Sequence, residues 1–328
     1  MPNPPASATK VIEPFAGKGD LLDWLKKQHI SLPVEAYDID PKTSVAQKRD
    51  TLANPPSYAN AWVLTNPPYL ARNKCSSKTY FDKYDTNDLY KCFLLSLVQD
   101  PPEGGLLIIP VGFFLSPRDV DVRCRNAFLS KFKVLKVKYF EEDVFPDTST
   151  TVIALSFEKS PTTLIQQYIE WVHMHSKENR TFELKQEHDW IIGGDIYSLK
   201  GSPAVQIRRH VEGQELRAEE QLTNLLLTAL DSGKEDGRIS LAYKENYVYP
   251  AKDTSRAYAT FILKGKILSP EQQTQLAAHW TAFIEKKRHE TWSLFLPQFR
   301  ESKEYARKRI PFELAYALTE HFIQQLFP

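Results

Sequence analysis

The chain has 328 residues, 42% of them hydrophobic and 25% charged, with a formal net charge of +1. That length can bury a large core and hold two domains, and no apolar run approaches the ~20 residues of a membrane-spanning helix. The near-neutral total neither supports nor excludes a nucleic-acid partner, because a polyanion is gripped by a local basic patch and not by a basic total.

The opening MPNPPASATK lacks the apolar stretch of a signal peptide. Cys75, Cys92 and Cys124 are unevenly spaced and form no metal pattern, so a reducing cytoplasmic compartment and no metal are expected. KVIEPFAG reads as a strand entering a glycine turn, and DLLDWLKKQ as the helix after it. VEAYDID and AWVLTNPPY are further strands, and NDLYKCFLLSLVQD is an amphipathic helix. GGLLIIPVGFFL, FKVLKVKYF and TTVIALSFE are three more strands. Strands alternating with helices predict an α/β fold, a doubly wound parallel sheet of the Rossmann-like kind. The last two runs lie close together, which predicts an antiparallel hairpin at one sheet edge.

Beyond about Ser160 the alternation stops. The chain becomes polar, with scattered aromatic residues, and EEQLTNLLLTAL predicts a helix that ends at DSGKEDG. The expected division is 1–160, an α/β domain; 161–304, a second, irregular α+β domain; and 305–328, a closing helical segment. Basic clusters stand at Arg208-Arg209-His210, Lys286-Lys287-Arg288-His289 and from Arg300 to Arg309. Each is either a phosphate-contacting patch or a solvated face. His173 and His175 have no acidic or cysteine neighbours beside them and read as surface histidines.

Three motifs carry chemistry. In VIEPFAGKGD a strand ending at Glu13 leads through Pro14, Phe15 and Ala16 to Gly17 and Gly19, then to a helix. Glycines there make the tight turn and let backbone approach a ligand. Asp38, followed by Ile39, ends the second strand, where a carboxylate can accept from both hydroxyls of a ribose. A dinucleotide site would want a third glycine, but Leu22 stands there. Glu13 would also repel phosphates. S-adenosylmethionine, with a sulfonium, an ammonium and no phosphate, suits these residues better. In VLTNPPYL, Pro67 and Pro68 stop the strand and stiffen a loop that presents Asn66 and Tyr69. Asn54-Pro55-Pro56-Ser57 repeats the pattern twelve residues earlier, without the aromatic and without a strand before it, and reads as a plain loop.

EPFAGKG, YDID and NPPY, in this order and spacing, resemble the amino-group DNA methyltransferases that act on adenine N6, of the type found in type II restriction-modification systems. The likeness covers roughly residues 10–158. It implies that residues 1–160 are the catalytic S-adenosylmethionine-binding domain, and that Glu13 to Gly17, Gly19, Asp38, Ile39, Asp50 and Asn66 line the cofactor. Thr51, after Asp50, stands where the family often has a bulkier apolar residue. The likeness also implies that the Asn66 side-chain oxygen and the Pro67 carbonyl accept from the target amine. The adenine would be flipped out of the duplex, stacked on Tyr69, with Phe145 against its other face. Residues 161–304 would be the target-recognition domain, reading base edges in the major groove. The implied setting is a monomer acting on double-stranded DNA, bacterial or viral in its host, with a cognate restriction endonuclease as a partner.

One departure concerns the start of the chain. Members of that family usually carry an extra helix before the first strand, whereas here only about ten residues, rich in proline, precede it, and the helix is expected at the other end. The closing KRIPFELAYALTEHFIQQL resembles the last segment of the cytosine-ring methyltransferases, so residues 305–328 are expected to pack back on the catalytic domain; a plain amphipathic helix is the alternative. Three rival functions stay open: RNA adenine-N6 methylation, protein glutamine-N5 methylation, and a catalytically idle binding subunit.

Overall fold

The computed structural model describes residues 3–142, 144–145, 150–231, 238–301 and 306–328. The chain divides into two compact units, Met1–Trp190 and Ile191–Pro328. Among the described residues no helix is long and apolar enough to cross a membrane.

The first unit is built in the order β1 (Lys10–Glu13), α1 (Asp20–Lys27), β2 (Val34–Asp38), β3 (Gln47–Lys48), β4 (Ala61–Thr65), α2 (Thr79–Tyr84), α3 (Leu89–Gln99), β5 (Gly104–Pro110), α4 (Gly112–Leu115), α5 (Asp119–Leu129), β6 (Phe132–Phe140), β7 (Val152–Lys159), β8 (Gln166–His173) and β9 (Asn179–Lys185). Its nine strands form one mixed sheet, ordered β3-β2-β1-β4-β5-β7-β6-β8-β9. The run from β3 to β5 is parallel throughout. This is the doubly wound, Rossmann-like α/β fold.

Local chemistry explains the central strands. All five residues of β4, Ala61-Trp62-Val63-Leu64-Thr65, are buried, as a parallel strand covered on both faces requires. Helix α1 packs Leu21, Trp24 and Leu25 with Val11, Trp62, Leu64 and Leu106. Its first turn carries Asp20 and Asp23 and its last turn Lys26 and Lys27, each matched to the helix dipole. Strand β1 pairs with β2 on one side and β4 on the other. The winding therefore reverses at β1, which opens a crevice at the carboxyl ends of β1 and β4.

Four expectations need correction here. The antiparallel pair β6 and β7 exists but lies inside the sheet, because β8 and β9 extend it further. Residues after 160 therefore still belong to the first unit, and the division falls at Trp190. The burial of β8 alternates along QQYIEWVH, so its exposed polar positions hid the strand. The end of GGLLIIPVGFFL turns helical at Gly112. His173 is not a surface residue. It is buried with its ring edge-on to Tyr139, and its Nε2 lies 3.3 Å from the Glu141 carboxylate.

The second unit contains β10 (Gln206–Arg209), β11 (Glu220–Thr228), β12 (Ser240–Tyr243), β13 (Tyr258–Lys264), α6 (Pro270–Thr291), β14 (Gln298–Glu301), β15 (Ala306–Lys308) and α7 (Phe312–Leu326). An antiparallel sheet ordered β10-β13-β11-β12 packs against α6 and α7. The unit is α+β as expected, but regular. EEQLTNLLLTAL forms strand β11 and not a helix. Its leucines suited a helix, but Thr223, Leu225 and Leu227 alternate inward at period two and face the core. Helix α6 begins with a capping box between Ser269 and Gln272, with Pro270 in its first turn.

The closing segment is also corrected. Helix α7 turns Leu314, Ala315, Leu318, Phe322 and Ile323 into the second unit's own core, beside Leu225, Phe261, Leu276 and Trp280. Each Leu, Phe or Ile so buried is worth roughly 1.5–3 kcal/mol, which fixes the helix there.

The basic clusters are largely spoken for within this unit. Arg208 pairs with Glu220 at 2.6 Å, Lys287 with Asp195 at 2.5 Å and Arg288 with Asp231 at 2.5 Å. Lys286 lies 3.9 Å from Glu290. Lys287 and Arg288 are thus held in ion pairs, while the Lys286 side chain stays exposed. Part of the Arg300–Arg309 cluster lies outside the described residues.

Candidate active site

The residues singled out from the sequence converge at the carboxyl ends of β1, β2 and β4. Gly17 and Gly19 both take left-handed backbone, with φ of 50° and 91°, which a side chain would strain. Gly19 is the N-cap residue of α1. The Gly17 N–H donates to the Asp38 carboxylate at 2.8 Å, and the Ala16 N–H donates to the Tyr37 carbonyl at 2.9 Å. The second Asp38 oxygen accepts from the Asp40 N–H at 2.8 Å. The glycine turn and the end of β2 are thus fastened together before any ligand arrives.

Glu13 is the unusual member. It is 1% exposed, and one oxygen accepts from the Phe15 N–H at 3.1 Å and from the Thr65 hydroxyl at 2.5 Å. Its other oxygen, Oε2, is buried and has no hydrogen-bond partner among the described residues. Burial pushes the carboxyl up to about 8, against the smaller opposing pull of the Thr65 hydroxyl and the Phe15 N–H. A buried carboxyl with an unused oxygen offers the acceptor that an ammonium or amino group would satisfy by donating to it.

Thr65 hands the arrangement on to Asn66. The Asn66-Pro67-Pro68-Tyr69 loop leaves β4 next to Glu13. The Tyr69 hydroxyl lies 2.5 Å from Asn66 Oδ1 and 2.7 Å from the Ile108 carbonyl on β5, with one hydrogen to donate between them. The Tyr69 ring meets Tyr90 edge-on at 6.2 Å. Phe15 meets Phe93 in the same way at 5.2 Å, which holds the turn after β1 against α3.

Other expected site residues are less closely joined. Asp50 accepts from the Leu52 and Ala53 N–H groups and from the Tyr80 hydroxyl at 2.5 Å. That bond is the main cause that pushes the Tyr80 phenol up to about 12. Thr51, the residue out of pattern, is buried and donates to the Pro14 carbonyl at 3.0 Å, so it braces the turn that a bulkier residue would fill. Ile39 is 60% exposed. Phe145 is half-buried in the loop after β6. Strand β6 runs parallel to β4 and β5, so its carboxyl end, just before Phe145, lies at the same end of the sheet as that of β4. Asn54 to Ser57 form a loop, held by Arg49 through the Asn54 and Pro55 carbonyls.

Thr65, Tyr80 and the Ile108 carbonyl join the site without having been singled out by any sequence motif. Thr65 carried a signal, as the one polar residue closing an apolar strand. The other two did not, since their partners are distant in sequence. Among the described residues no group of three His, Cys, Asp or Glu side chains gathers as a metal site.

No protein-family model and no curated protein matches the chain. Solved structures similar to it include a modification subunit of a putative type I restriction enzyme from Vibrio vulnificus YJ016, at 13% identity and TM-score 0.40, covering 52% of this chain and 44% of that one. Another is the type IIG restriction endonuclease BpuSI, at 12% identity and TM-score 0.43, covering 66% and 35%. A third is a putative class I S-adenosylmethionine-dependent methyltransferase from Listeria monocytogenes, at 14% identity and TM-score 0.37, covering 47% and 55%. The chain therefore spans about half or less of the length of these structures.

Proposed function

We propose that the chain is an S-adenosylmethionine-dependent methyltransferase acting on the N6 amino group of adenine in duplex DNA. The observation that carries this reading is the Asn66-Pro67-Pro68-Tyr69 loop at the winding reversal, next to the buried, half-satisfied carboxyl of Glu13. The orphaned Oε2 fits an amino-bearing cofactor better than a phosphate-bearing one. Glu13, the backbone of Phe15 to Gly17, Gly19, Asp38 and Asp50 would hold that cofactor, with Ile39 at its rim. When bound, S-adenosylmethionine supplies an electrophilic methyl group.

The chain's own residues do the rest. The lone pair of an adenine amine is delocalised into its ring, which makes it a poor nucleophile. Asn66 Oδ1 and the Pro67 carbonyl accept its two N–H hydrogens and draw electron density toward the nitrogen as positive charge develops there. Pro67 and Pro68 fix both acceptors without rearrangement. A flipped base costs a few kcal/mol to unstack, and the Tyr69 ring, with Phe145, offers stacking that recovers part of it. Burial pushes the Cys92 and Cys124 thiols up to about 12, so neither supplies a thiolate nucleophile at neutral pH.

The deciding experiment offers labelled S-adenosylmethionine with duplex DNA, RNA and a protein lysate, and identifies the product by mass spectrometry. N6-methyladenine in duplex DNA is expected. Label confined to RNA or to glutamine would overturn the substrate and keep the chemistry.

Tyr69 separates ring from hydroxyl. Tyr69→Phe keeps the stacking face and should hold turnover within about tenfold, the scale of one neutral hydrogen bond. Tyr69→Ala removes the face and should lose about 1–3 kcal/mol of base stabilisation, read as a raised KM for DNA. Equal losses in the two variants would assign the role to the hydroxyl.

A further inference from the structure

The second unit contains a cavity of about 310 Å³ lined by Arg209, Arg256, Arg309, Phe312, Glu313 and Tyr316, with Ile310 and Pro311 as its apolar wall. Its three guanidinium groups come from separate stretches: the end of β10, the segment before β13, and the residue just after β15. We propose that this cavity binds a phosphate group.

Charge is the first reason. The neighbouring cations Arg208, Lys287 and Arg288 are each neutralised by a carboxylate within 2.6 Å. Arg209 and Arg256 are held differently. Arg209 donates to the Ser255 and Asp253 carbonyls, both at 2.6 Å, and Arg256 donates to the Asp253 carbonyl at 2.7 Å. Carbonyls orient a guanidinium without cancelling its charge. Among the described residues neither arginine makes an ion pair. Among the described residues Glu313 is the one carboxylate in the lining, facing the uncancelled charges of Arg209 and Arg256.

Geometry is the second reason. The Arg209 guanidinium is fixed over the Phe312 ring at 5.5 Å, and Phe312 stacks on Tyr316 at 6.2 Å. Such a group reaches a ligand with little further loss of side-chain freedom. The 15-residue helix α7 starts in the cavity wall, with Pro311, which makes no side-chain capping bond, as its N-cap. Its positive end reinforces the arginines. A carboxylate offers two oxygens in one plane. Donors on Arg209 and Arg256, from two separate stretches, together with a helix end suit a tetrahedral group with oxygens in several directions. The phosphate can come from a nucleic-acid backbone or from a free nucleotide, and the inference does not depend on methyl transfer.

The test measures binding of the full chain to inorganic phosphate and adenosine 5′-monophosphate by calorimetry, and to a 20-base-pair duplex by fluorescence anisotropy across a salt series. Arg256→Gln is the principal variant, because Arg256 is exposed; Arg209→Lys, which keeps the charge, is the second. Each is accepted only if its thermal midpoint stays within a few degrees of the parent's.

A lost duplex phosphate contact should lower the slope of log affinity against log salt by about 0.9, and affinity by roughly eightfold at 0.1 M salt. That result in Arg256→Gln, with a smaller one in Arg209→Lys, supports the site and names the backbone as its source. An unchanged duplex slope with weaker binding of phosphate and the mononucleotide supports the site and names a free nucleotide. No change with any of the three probes overturns it. Transfer of methyl to any substrate is read separately, so failure here and failure of the methyltransferase reading are distinguishable.

Discussion

Replacing Asn66 by Ala should reduce methyl transfer by at least about a hundredfold, the scale on which removal of one preorganised polar group acts, while leaving affinity for S-adenosylmethionine nearly intact. The structure sharpens that expectation. Asn66 Oδ1 has the Tyr69 hydroxyl as its neighbour, and the same hydroxyl has a second acceptor in the Ile108 carbonyl. An arriving amine can therefore take the Asn66 oxygen while the phenol turns to Ile108, with no buried donor left unsatisfied. In Asn66→Ala that exchange has nothing to act on, but the Ile108 bond still holds the ring, so the loop should survive. Single-turnover kinetics with saturating cofactor would read the loss. Turnover within threefold of the parent would remove Asn66 from the chemistry and sink the proposed mechanism.

Glu13→Gln should have opposite effects on stability and on binding. The Glu13 carboxyl is raised to about 8 in the folded protein, from an ordinary value near 4.5. Between those values the folded chain binds more protons than the unfolded one, so stability falls as pH rises from about 4.5 and levels off above about 8. Glutamine does not titrate. The variant should match the parent near pH 4.5 and exceed it by an amount on the order of a few kcal/mol above pH 8.

Binding should run the other way. An ammonium at Oε2 favours the ionised carboxyl, so binding S-adenosylmethionine should release a proton, and parent affinity should climb between pH 6 and 8. Glu13→Gln should bind weakly and lose that slope. Parallel affinity–pH profiles in parent and variant would separate Glu13 from the cofactor and leave it a purely structural group.

Legibility in the sequence followed the range of the interactions. The glycine turn, Asp38 and the NPPY loop are short segments whose residue types state their own backbone requirements, and their convergence follows from the parallel order of β1, β2 and β4. The orphaned Glu13 oxygen could not be read, because it depends on what fails to reach it through space. Strand β8 went unseen because its exposed positions are polar, and β11 was misread because leucine serves helix and strand alike. The basic clusters misled for a related reason. A run such as Lys286-Lys287-Arg288 shows charges, while Asp195 and Asp231, which neutralise two of them, lie more than fifty residues away in sequence. The arginines of the cavity were invisible for the converse reason, being scattered across a hundred residues.

The placement of α7 has a consequence for how the chain is made. All nine strands of the large sheet lie within the first 190 residues, so that unit has its full set of partners while the ribosome is still translating the rest. The second core has no such head start. Leu314, Leu318, Phe322 and Ile323 close over residues as far back as Ile196, so strands β10 to β13, already met by α6, wait with part of their core uncovered until α7 emerges. The interval between those two events is when the nascent protein is most open to aggregation and most in need of a chaperone.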